Sequence, residues 1–142
     1  MDTSSPARLY ATLVGAALVV IGIIGFFYEA SFAVGDDIQA DEEFGFLSIN
    51  GWENAIHIVA GLIGLAAAGT NASARLYSLG FGAIYVVLAI WGWIDETILE
   101  IIPVNDEANV VHLILGVTGI AAGLATPTDE RRRRAPATPE PG

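Results

Sequence analysis

Four long apolar segments constrain the fold of this chain more than any other feature. They cover roughly residues 9–28, 54–69, 76–94 and 109–125. An α-helix needs about 20 residues to cross a bilayer, and the length of each segment is close to that number. The second and fourth reach a spanning length once their polar first turns are added. With 54% hydrophobic and 15% charged residues, the chain is too apolar for an ordinary soluble domain. The sequence therefore predicts an all-α, multi-pass protein of the cell membrane with four transmembrane helices.

The predicted organisation is one membrane domain between two short tails. The domain covers residues 8–125, with an N-terminal cytoplasmic tail at 1–7 and a C-terminal cytoplasmic tail at 126–142, whose Pro-rich and charged sequence predicts disorder. The predicted helices cover about residues 8–28, 51–69, 75–94 and 106–125. A cleaved secretory signal is the alternative for the first helix, because Arg8 precedes an apolar run and small residues follow it.

The helices read as two copies of one unit. RLYATLVGAALVVIGIIGFF aligns without gaps to RLYSLGFGAIYVVLAIWGWI at an offset of 67, and NGWENAIHIVAGLIGLAAAG aligns to NDEANVVHLILGVTGIAAG at an offset of 55. A unit with two crossings returns to its starting side, so its copy has the same orientation. The pattern predicts two tandem helical hairpins in a parallel 2+2 repeat. It also favours a retained first helix, because the matching segment 75–94 cannot be a signal.

The arginines predict the orientation. Arg8, Arg75 and the four at 131–134 all fall before helix 1, between helices 2 and 3, or after helix 4. Because positive residues are retained in the cytoplasm, both termini are predicted to be cytoplasmic. The outer side then holds twelve of the sixteen acidic residues and no base.

The composition itself resembles that of proteins from extreme halophiles. The chain has sixteen acidic residues, no Lys and no Cys. In such proteins excess carboxylates keep surfaces hydrated, so we interpret the acidic loops as solvated surface rather than as a mouth that collects cations. The absence of Cys excludes disulfides and thiolate metal sites within the chain.

The most specific local pattern is a polar and glycine stripe, NxxxNxxHxxxGxxG, which occurs in helix 2 and again in helix 4. At about 100° per residue its members share one face of each helix. They are Asn50, Asn54, His57, Gly61 and Gly64 in helix 2, and Asn105, Asn109, His112, Gly116 and Gly119 in helix 4, where Gly123 continues the series. Small residues at this spacing let membrane helices approach closely. We therefore expect the stripe to pack helix 2 against helix 4, while Val86 and Ile90 face lipid.

Asparagines begin both copies of the stripe. Asn50 and Asn105 are predicted helix N-caps, and Glu53, three residues after Asn50, is the residue type expected in a capping pair. Pro103 helps to stop the segment that precedes helix 4.

The deeper polar residues of the stripe need partners. Unsatisfied donors are costly inside a membrane, so Asn54, Asn109, His57 and His112 are expected to hydrogen-bond across helices or to loop carbonyls. Equal offsets in the two copies place the histidines at the same depth. We expect each histidine to bond an Asn or the backbone, with no bound metal or cofactor.

The order and spacing of these motifs resemble those of a known family, the small four-helix membrane proteins grouped as domain of unknown function 4383. The resemblance covers about residues 8–125 and rests on FGxxxxNxxxNxxH, on PVN before helix 4, and on the second NxxH with its glycines. It implies a four-helix membrane fold and no known activity. One position departs from the expected pattern: an acidic residue is expected just before the second Asn of the helix 4 motif, where this chain has Ala108.

An enzyme is not predicted. The sequence has no Cys nucleophile, no GxSxG and no HExxH, and its serines lack a nearby His and acid set. Nucleic-acid binding is disfavoured because the only basic cluster is a short tail on an acidic chain. The expected partners are the lipid bilayer and either another membrane protein or a second copy of this chain.

Three classes of function remain. The leading one is a structural or accessory membrane protein whose repeated motif fixes helix packing. The second is a conduit for a small solute or protons, because His and Asn lie inside the membrane near acidic loops. The third is a haem or metal redox module with His57 and His112 as paired ligands. It ranks last, since two histidines without further ligands are equally explained as hydrogen-bonded core residues.

Overall fold

Four α-helices make up most of the protein. The computed structural model describes residues 5–38, 43–44 and 47–127, so the predicted disorder of the C-terminal tail and its four arginines lie outside the described residues. The helices are α1 (Pro6–Gly25), α2 (Gly51–Ala67), α3 (Asn71–Gly92) and α4 (Asp106–Ala125). Two short antiparallel hairpins that the sequence did not predict occupy the loops, β1 (Glu43–Phe44) with β2 (Leu47–Ser48) and β3 (Thr97–Ile98) with β4 (Ile102–Pro103). A 3-10 turn covers Gly35–Asp37.

Side-chain caps set where the helices begin. Asn50 Oδ1 accepts from the N–H of Glu53 at 2.9 Å, and Asn105 Oδ1 accepts from the N–H of Ala108 at 2.8 Å, so both predicted caps are confirmed. Helix α3 begins four residues before its predicted start because Thr70 caps it. Each cap satisfies backbone donors that have no partner within the helix. The described residues between α1 and α2, and those between α3 and α4, lie at one end of the bundle, which we call the loop end.

Glycines hold the helices together in the pairs α1/α2 and α3/α4. A Cβ at Gly61 would lie 2.6 Å from the carbonyl oxygen of Gly15 in α1, and one at Gly116 would lie 2.9 Å from that of Gly82 in α3. The prediction that these glycines pack α2 against α4 is therefore wrong. The backbones meet within each consecutive pair of helices, where glycine faces glycine.

The same contact corrects the prediction that Val86 faces lipid. A Cβ at Gly116 would also lie 2.7 Å from Val86 Cγ2, so this side chain packs between α3 and α4. Ile90, one turn further along α3, is exposed. The remaining glycines of the stripe face the other side chains of the core: Gly64 faces Tyr77, Gly119 faces Tyr10 and Gly123 faces Leu79.

Two tyrosines connect the helix pairs to each other. Tyr10 of α1 donates its hydroxyl to the carbonyl oxygen of Leu115 in α4 at 2.7 Å. Tyr77 of α3 donates to the carbonyl oxygen of Ala60 in α2 at 3.2 Å. Each hydroxyl therefore bonds a helix of the opposite pair. The acceptor in each case is a backbone carbonyl oxygen within that helix.

Aromatic stacking fills the centre of the bundle. Tyr77 stacks on Phe81 at 5.1 Å between ring centroids, and Phe81 stacks on Tyr85 at 4.0 Å, so three rings of α3 form a column. Tyr10 contacts Phe81 edge-on from α1, and Leu18 completes the buried cluster. We refer to these five side chains as the aromatic core.

We expect Tyr10→Phe and Tyr77→Phe each to lower the free energy of unfolding in detergent by about 0.6 kcal/mol, the average worth of an interhelical hydrogen bond in a membrane protein. The Tyr10 change should cost more, because its bond is shorter. The measurement is unfolding in rising SDS followed by circular dichroism. Thr118→Val is the control, since the Thr118 hydroxyl bonds carbonyls of its own helix. Equal losses in all three variants would contradict the assigned link between helix pairs.

The outer surface of the helices is compatible with lipid. Helices α1, α3 and α4 are long and apolar enough to cross a membrane, while α2 has 17 residues and is shorter. Large apolar side chains point outward along the bundle, among them Leu9, Leu13 and Val20 of α1. An apolar girdle of this extent is rare on soluble proteins.

Candidate functional site

Three titratable side chains meet inside the loop end of the bundle. Glu53 and His57 come from the first two turns of α2, and His112 comes from the second turn of α4. Each offers one donor atom, and the three atoms lie within 4.8 Å of one another. The exposed fractions are 5% for Glu53, 9% for His57 and 6% for His112, so all three are buried. We call this group the Glu–His–His cluster.

Helix geometry brings the first two members together. Glu53 and His57 are four residues apart on one face of α2, and Glu53 Oε1 lies 3.8 Å from His57 Nε2. The Asn50 cap fixes the first turn of α2, from which Glu53 projects. Helix α4 begins with the equivalent Asn105 cap and carries His112 at the same distance from its start.

An aromatic contact orients the third member. Tyr85, the last ring of the aromatic core, meets the ring of His112 edge-on, with 4.9 Å between ring centroids. Such contacts fix the plane of an imidazole through packing. The Glu–His–His cluster is therefore bounded on the inner side of the bundle by the aromatic core.

Each member of the cluster has a buried polar atom without a hydrogen-bond partner among the described residues. These atoms are Glu53 Oε2, His57 Nδ1 and His112 Nδ1. We predicted that each histidine bonds an Asn or the backbone. This prediction is wrong for the Nδ1 atom of each histidine, which has no such partner among the described residues. Leaving one such group unpaired costs about 1–3 kcal/mol. Three in one place is an unusual concentration for a folded protein.

Asn50 and Asn54 of the stripe donate hydrogen bonds to loop carbonyls and not to the histidines. Asn50 Nδ2 donates to the carbonyl oxygen of Ile101 at 2.5 Å, which ties α2 to the loop before α4. Asn54 Nδ2 donates to the carbonyl oxygen of Glu29 at 2.8 Å, which ties α2 to the loop after α1. Their role in this geometry is to hold the loops over the end of the bundle.

Asn54 and Asn109 also share a packing arrangement. A Cβ at Gly25 would overlap Asn54 Oδ1, and one at Gly92 would overlap Asn109 Oδ1. Both asparagines are almost completely buried, and both Oδ1 atoms lack a hydrogen-bond partner among the described residues. The last glycine of each preceding helix thus leaves room for an asparagine of the stripe.

Acidic residues line two cavities at the loop end. One cavity, of about 350 Å³, borders Asn109 and is lined by Glu96, Asp106 and Glu107. A smaller one, of about 130 Å³, borders Asn50 and is lined by Glu29 and Asp37. Grouped carboxylates raise the local concentration of cations.

Comparison with known proteins identifies the family and no relative of known function. The family profile described as "Domain of unknown function (DUF4383)" matches residues 8–125, so this chain belongs to that family, as the sequence motifs indicated. No curated protein matches the chain. No solved structure matches it either.

The sequence did not single out two contributors to the site. The sequence indicates only a capping role for Glu53, although its spacing of four from His57 is a visible signal. Tyr85 gives no signal in the sequence, because an aromatic residue in an apolar helix is ordinary. Neither has a counterpart in the other copy of the repeat: the offset of 55 leads from Glu53 to Ala108, and the offset of 67 leads from Leu18 to Tyr85.

Proposed function

We propose that this chain is a multi-pass membrane protein built from two tandem helical hairpins that share one orientation. Adding the sequence offsets of the repeat to the contacts between α1 and α2 gives the contacts between α3 and α4. The offset of 67 carries Gly15 to Gly82 while the offset of 55 carries Gly61 to Gly116, and these residues form the two glycine contacts.

The tyrosine bonds follow the same rule and carry this part of the proposal. Moving Tyr10 by 67 gives Tyr77, and moving the acceptor residue Ala60 by 55 gives Leu115, so each bond maps onto the other. A pseudo-twofold axis along the bundle accounts for both bonds. Parallel repeats related in this way have their axis along the membrane normal.

In this arrangement α2 also crosses the membrane. Its 17 residues span about 25 Å at 1.5 Å per residue, a few ångströms less than a typical hydrocarbon core. Bilayers adapt to such a mismatch at modest cost. The burial of α2 against α1, and the exposed apolar residues Val59, Leu62 and Ile63 on its outer side, support this placement.

For the biochemical role we propose a structural or accessory protein, without enzymatic activity, in preference to a conduit. The observation that carries this choice is the aromatic core, which fills the bundle directly beyond the Glu–His–His cluster. The hydroxyls of Tyr10 and Tyr77 are both engaged with helix carbonyls. A polar pathway through the bundle would have to displace these stacked rings.

Proteoliposomes test this choice. Vesicles that enclose a pH-sensitive dye and contain the purified chain should hold a pH gradient as long as protein-free vesicles do. A proton leak that grows with the amount of protein, and that Tyr85→Ala increases further, would overturn the accessory proposal in favour of a conduit.

Both termini are proposed to be cytoplasmic, and the chain offers a direct test because it has no native Cys. We expect Asp36→Cys in the loop after α1 to react with a membrane-impermeant maleimide in intact cells. Gly69→Cys, in the turn between α2 and α3, should react only after the membrane is opened. Both positions lie in connections between helices, and Gly69 is exposed. Labelling of Gly69→Cys in intact cells would reverse the orientation that the arginines predict.

A further inference from the structure

We infer that Glu53, His57 and His112 form a binding site for one divalent first-row transition metal ion, with Zn²⁺ as the reference ion. The sequence alone weighed against a metal because it offered two histidines and no further ligand. The structure adds Glu53 as a third donor, within 4.8 Å of the donors of both histidines. This inference goes beyond the proposed accessory role and does not depend on the orientation in the membrane.

The chemistry of the donors selects the class of ion. Two imidazoles and one carboxylate suit Zn²⁺, Fe²⁺, Co²⁺, Ni²⁺ or Cu²⁺, whereas Mg²⁺ and Ca²⁺ prefer oxygen ligands throughout. Three protein ligands of this kind leave a coordination position for water or another small ligand. The described residues place no Lys or Arg side chain within the Glu–His–His cluster that would compete with a cation.

The spacing of the donors is close to what one ion requires. Two donors bound to a tetrahedral Zn²⁺ at 2.0–2.1 Å lie about 3.4 Å apart. Glu53 Oε1 and His57 Nε2 are already at 3.8 Å, and the widest separation among the three donor atoms is within 4.8 Å. To complete the coordination, each pair of donor atoms has to come closer by about 1.4 Å at most.

Burial and missing partners provide the second, independent observation. All three residues are buried, with between 5% and 9% of their surface exposed, and each side chain has a polar atom without a partner among the described residues. A buried carboxylate beside two imidazoles is expensive to maintain without a compensating charge. A divalent cation coordinated by the cluster supplies that charge.

The same packing favours a single ion over haem. A haem held between His57 and His112 would have to insert its macrocycle between the two imidazoles. Glu53 lies within 4.8 Å of both donors there, and Tyr85 contacts the His112 ring. A single ion needs no such space.

A bound ion would join the two halves of the protein. Glu53 and His57 belong to the first hairpin and His112 belongs to the second. The glycine contacts hold helices together within each pair, whereas the tyrosine bonds are direct links between the pairs. Coordination across α2 and α4 adds a strong link at the loop end.

Metal binding to the full chain in detergent tests the inference. The chain is purified through a tag without histidine, stripped with a chelator, and titrated with Zn²⁺ by calorimetry, with bound metal counted by elemental analysis. We expect one tight site per chain. Glu53→Gln, His57→Ala and His112→Ala should each weaken it by about 100-fold or more, since even outer-shell changes cost 10–100-fold. Asp36→Asn is the matched control and should retain full affinity, because Asp36 is an exposed acid of the loop after α1 and lines neither acidic cavity.

A second measurement needs no variant and therefore covers the case in which a variant does not fold. The chain contains two histidines in total, so nitrogen couplings in the electron paramagnetic resonance spectrum of the Cu²⁺-loaded wild-type protein identify them as ligands. We expect coupling to two imidazole nitrogens. A spectrum with oxygen ligands only, or folded variants that bind Zn²⁺ as tightly as the wild type, would overturn the metal site. Both results leave the proteoliposome and labelling tests of the accessory proposal unaffected.

Discussion

Gly61→Leu and Gly116→Leu should each prevent the protein from accumulating in a folded form. A Cβ at Gly61 would lie 2.9 Å from the backbone N of Val19, and one at Gly116 would lie 2.8 Å from the backbone N of Val86. Backbone atoms cannot move aside as the end of a flexible side chain can, so the paired helices have to separate. Overpacking in a core costs about 1–3 kcal/mol and occasionally more. A full Leu side chain at a backbone contact belongs at or above the top of that range.

Gly80→Leu is the matched control for both variants. Gly80 lies in α3, yet nothing comes within 4 Å of a Cβ placed there, and the residue is exposed. Leu is a better helix former than Gly, so this variant should be as stable as the wild type or slightly more stable. Ile90→Leu, at an exposed position of the same helix, should also be neutral.

Fluorescence-detected size-exclusion chromatography of the three glycine variants measures this prediction. The expected result is a monodisperse peak for Gly80→Leu and loss of that peak for the two others. Retention of the peak by Gly61→Leu would mean that α1 and α2 do not meet at this glycine. The assignment of α1 and α2 as a pair would then be contradicted.

The glycine stripe shows how far the sequence could predict packing. Its spacing correctly indicated faces where helices approach closely, because only small residues allow backbone contact. The pattern could not indicate the partner, since Gly61 and Gly15 carry the same signal as Gly61 and Gly116. Connection length did not indicate the partner either, because the shortest connection, residues 68–70, joins α2 to α3, which belong to different pairs. Val86 shows the same limit, because apolar residues facing lipid and apolar residues facing a helix are chemically alike.

The sequence predicted the two histidines of the candidate site, which belong to the repeated motif, and not Glu53, which occurs in one copy only. Equal offsets from Asn50 and Asn105 singled out His57 and His112, and the structure brings both into the Glu–His–His cluster. Glu53 occurs in one copy of the motif, so the repeat did not emphasise it. Its position also suited a simpler role, since an acid at the third position of a helix is ordinary capping chemistry. Which role an acid has depends on whether it is buried, and the periodicity of an isolated helix does not show that.

Ala108, which stands where an acidic residue was expected, fits the asymmetry of this cluster. Ala108 stands four residues before His112, as Glu53 stands four residues before His57, and it is buried. A carboxylate there would complete a set of two histidines and two acids. The present cluster has one acid for two imidazoles, which is enough to bind an ion and to leave one side of it open.

Ala108→Glu should destabilise the metal-free protein strongly and make it depend on metal. The new carboxylate would be buried beside His112, and an uncompensated buried charge costs about 3–5 kcal/mol. A bound Zn²⁺ would gain a fourth protein ligand and offset that cost. Thermal unfolding in detergent should therefore show a lower midpoint for Ala108→Glu without metal and a much larger increase on adding Zn²⁺ than the wild type shows.

Ala108→Gln separates charge from size in this experiment. Gln has nearly the same volume as Glu, so it causes the same crowding at this buried position, but its neutral amide is a poor ligand for Zn²⁺. We expect Ala108→Gln to be destabilised without metal and to gain no more from Zn²⁺ than the wild type does. Equal responses of the two variants to Zn²⁺ would mean that position 108 does not reach the metal. The double variant Ala108→Glu, His112→Ala provides a further test. If the extra stabilisation of Ala108→Glu by Zn²⁺ disappears in the double variant, the new carboxylate and His112 bind the same ion. The reason is that a fourth ligand is useful only where the other ligands already hold the metal.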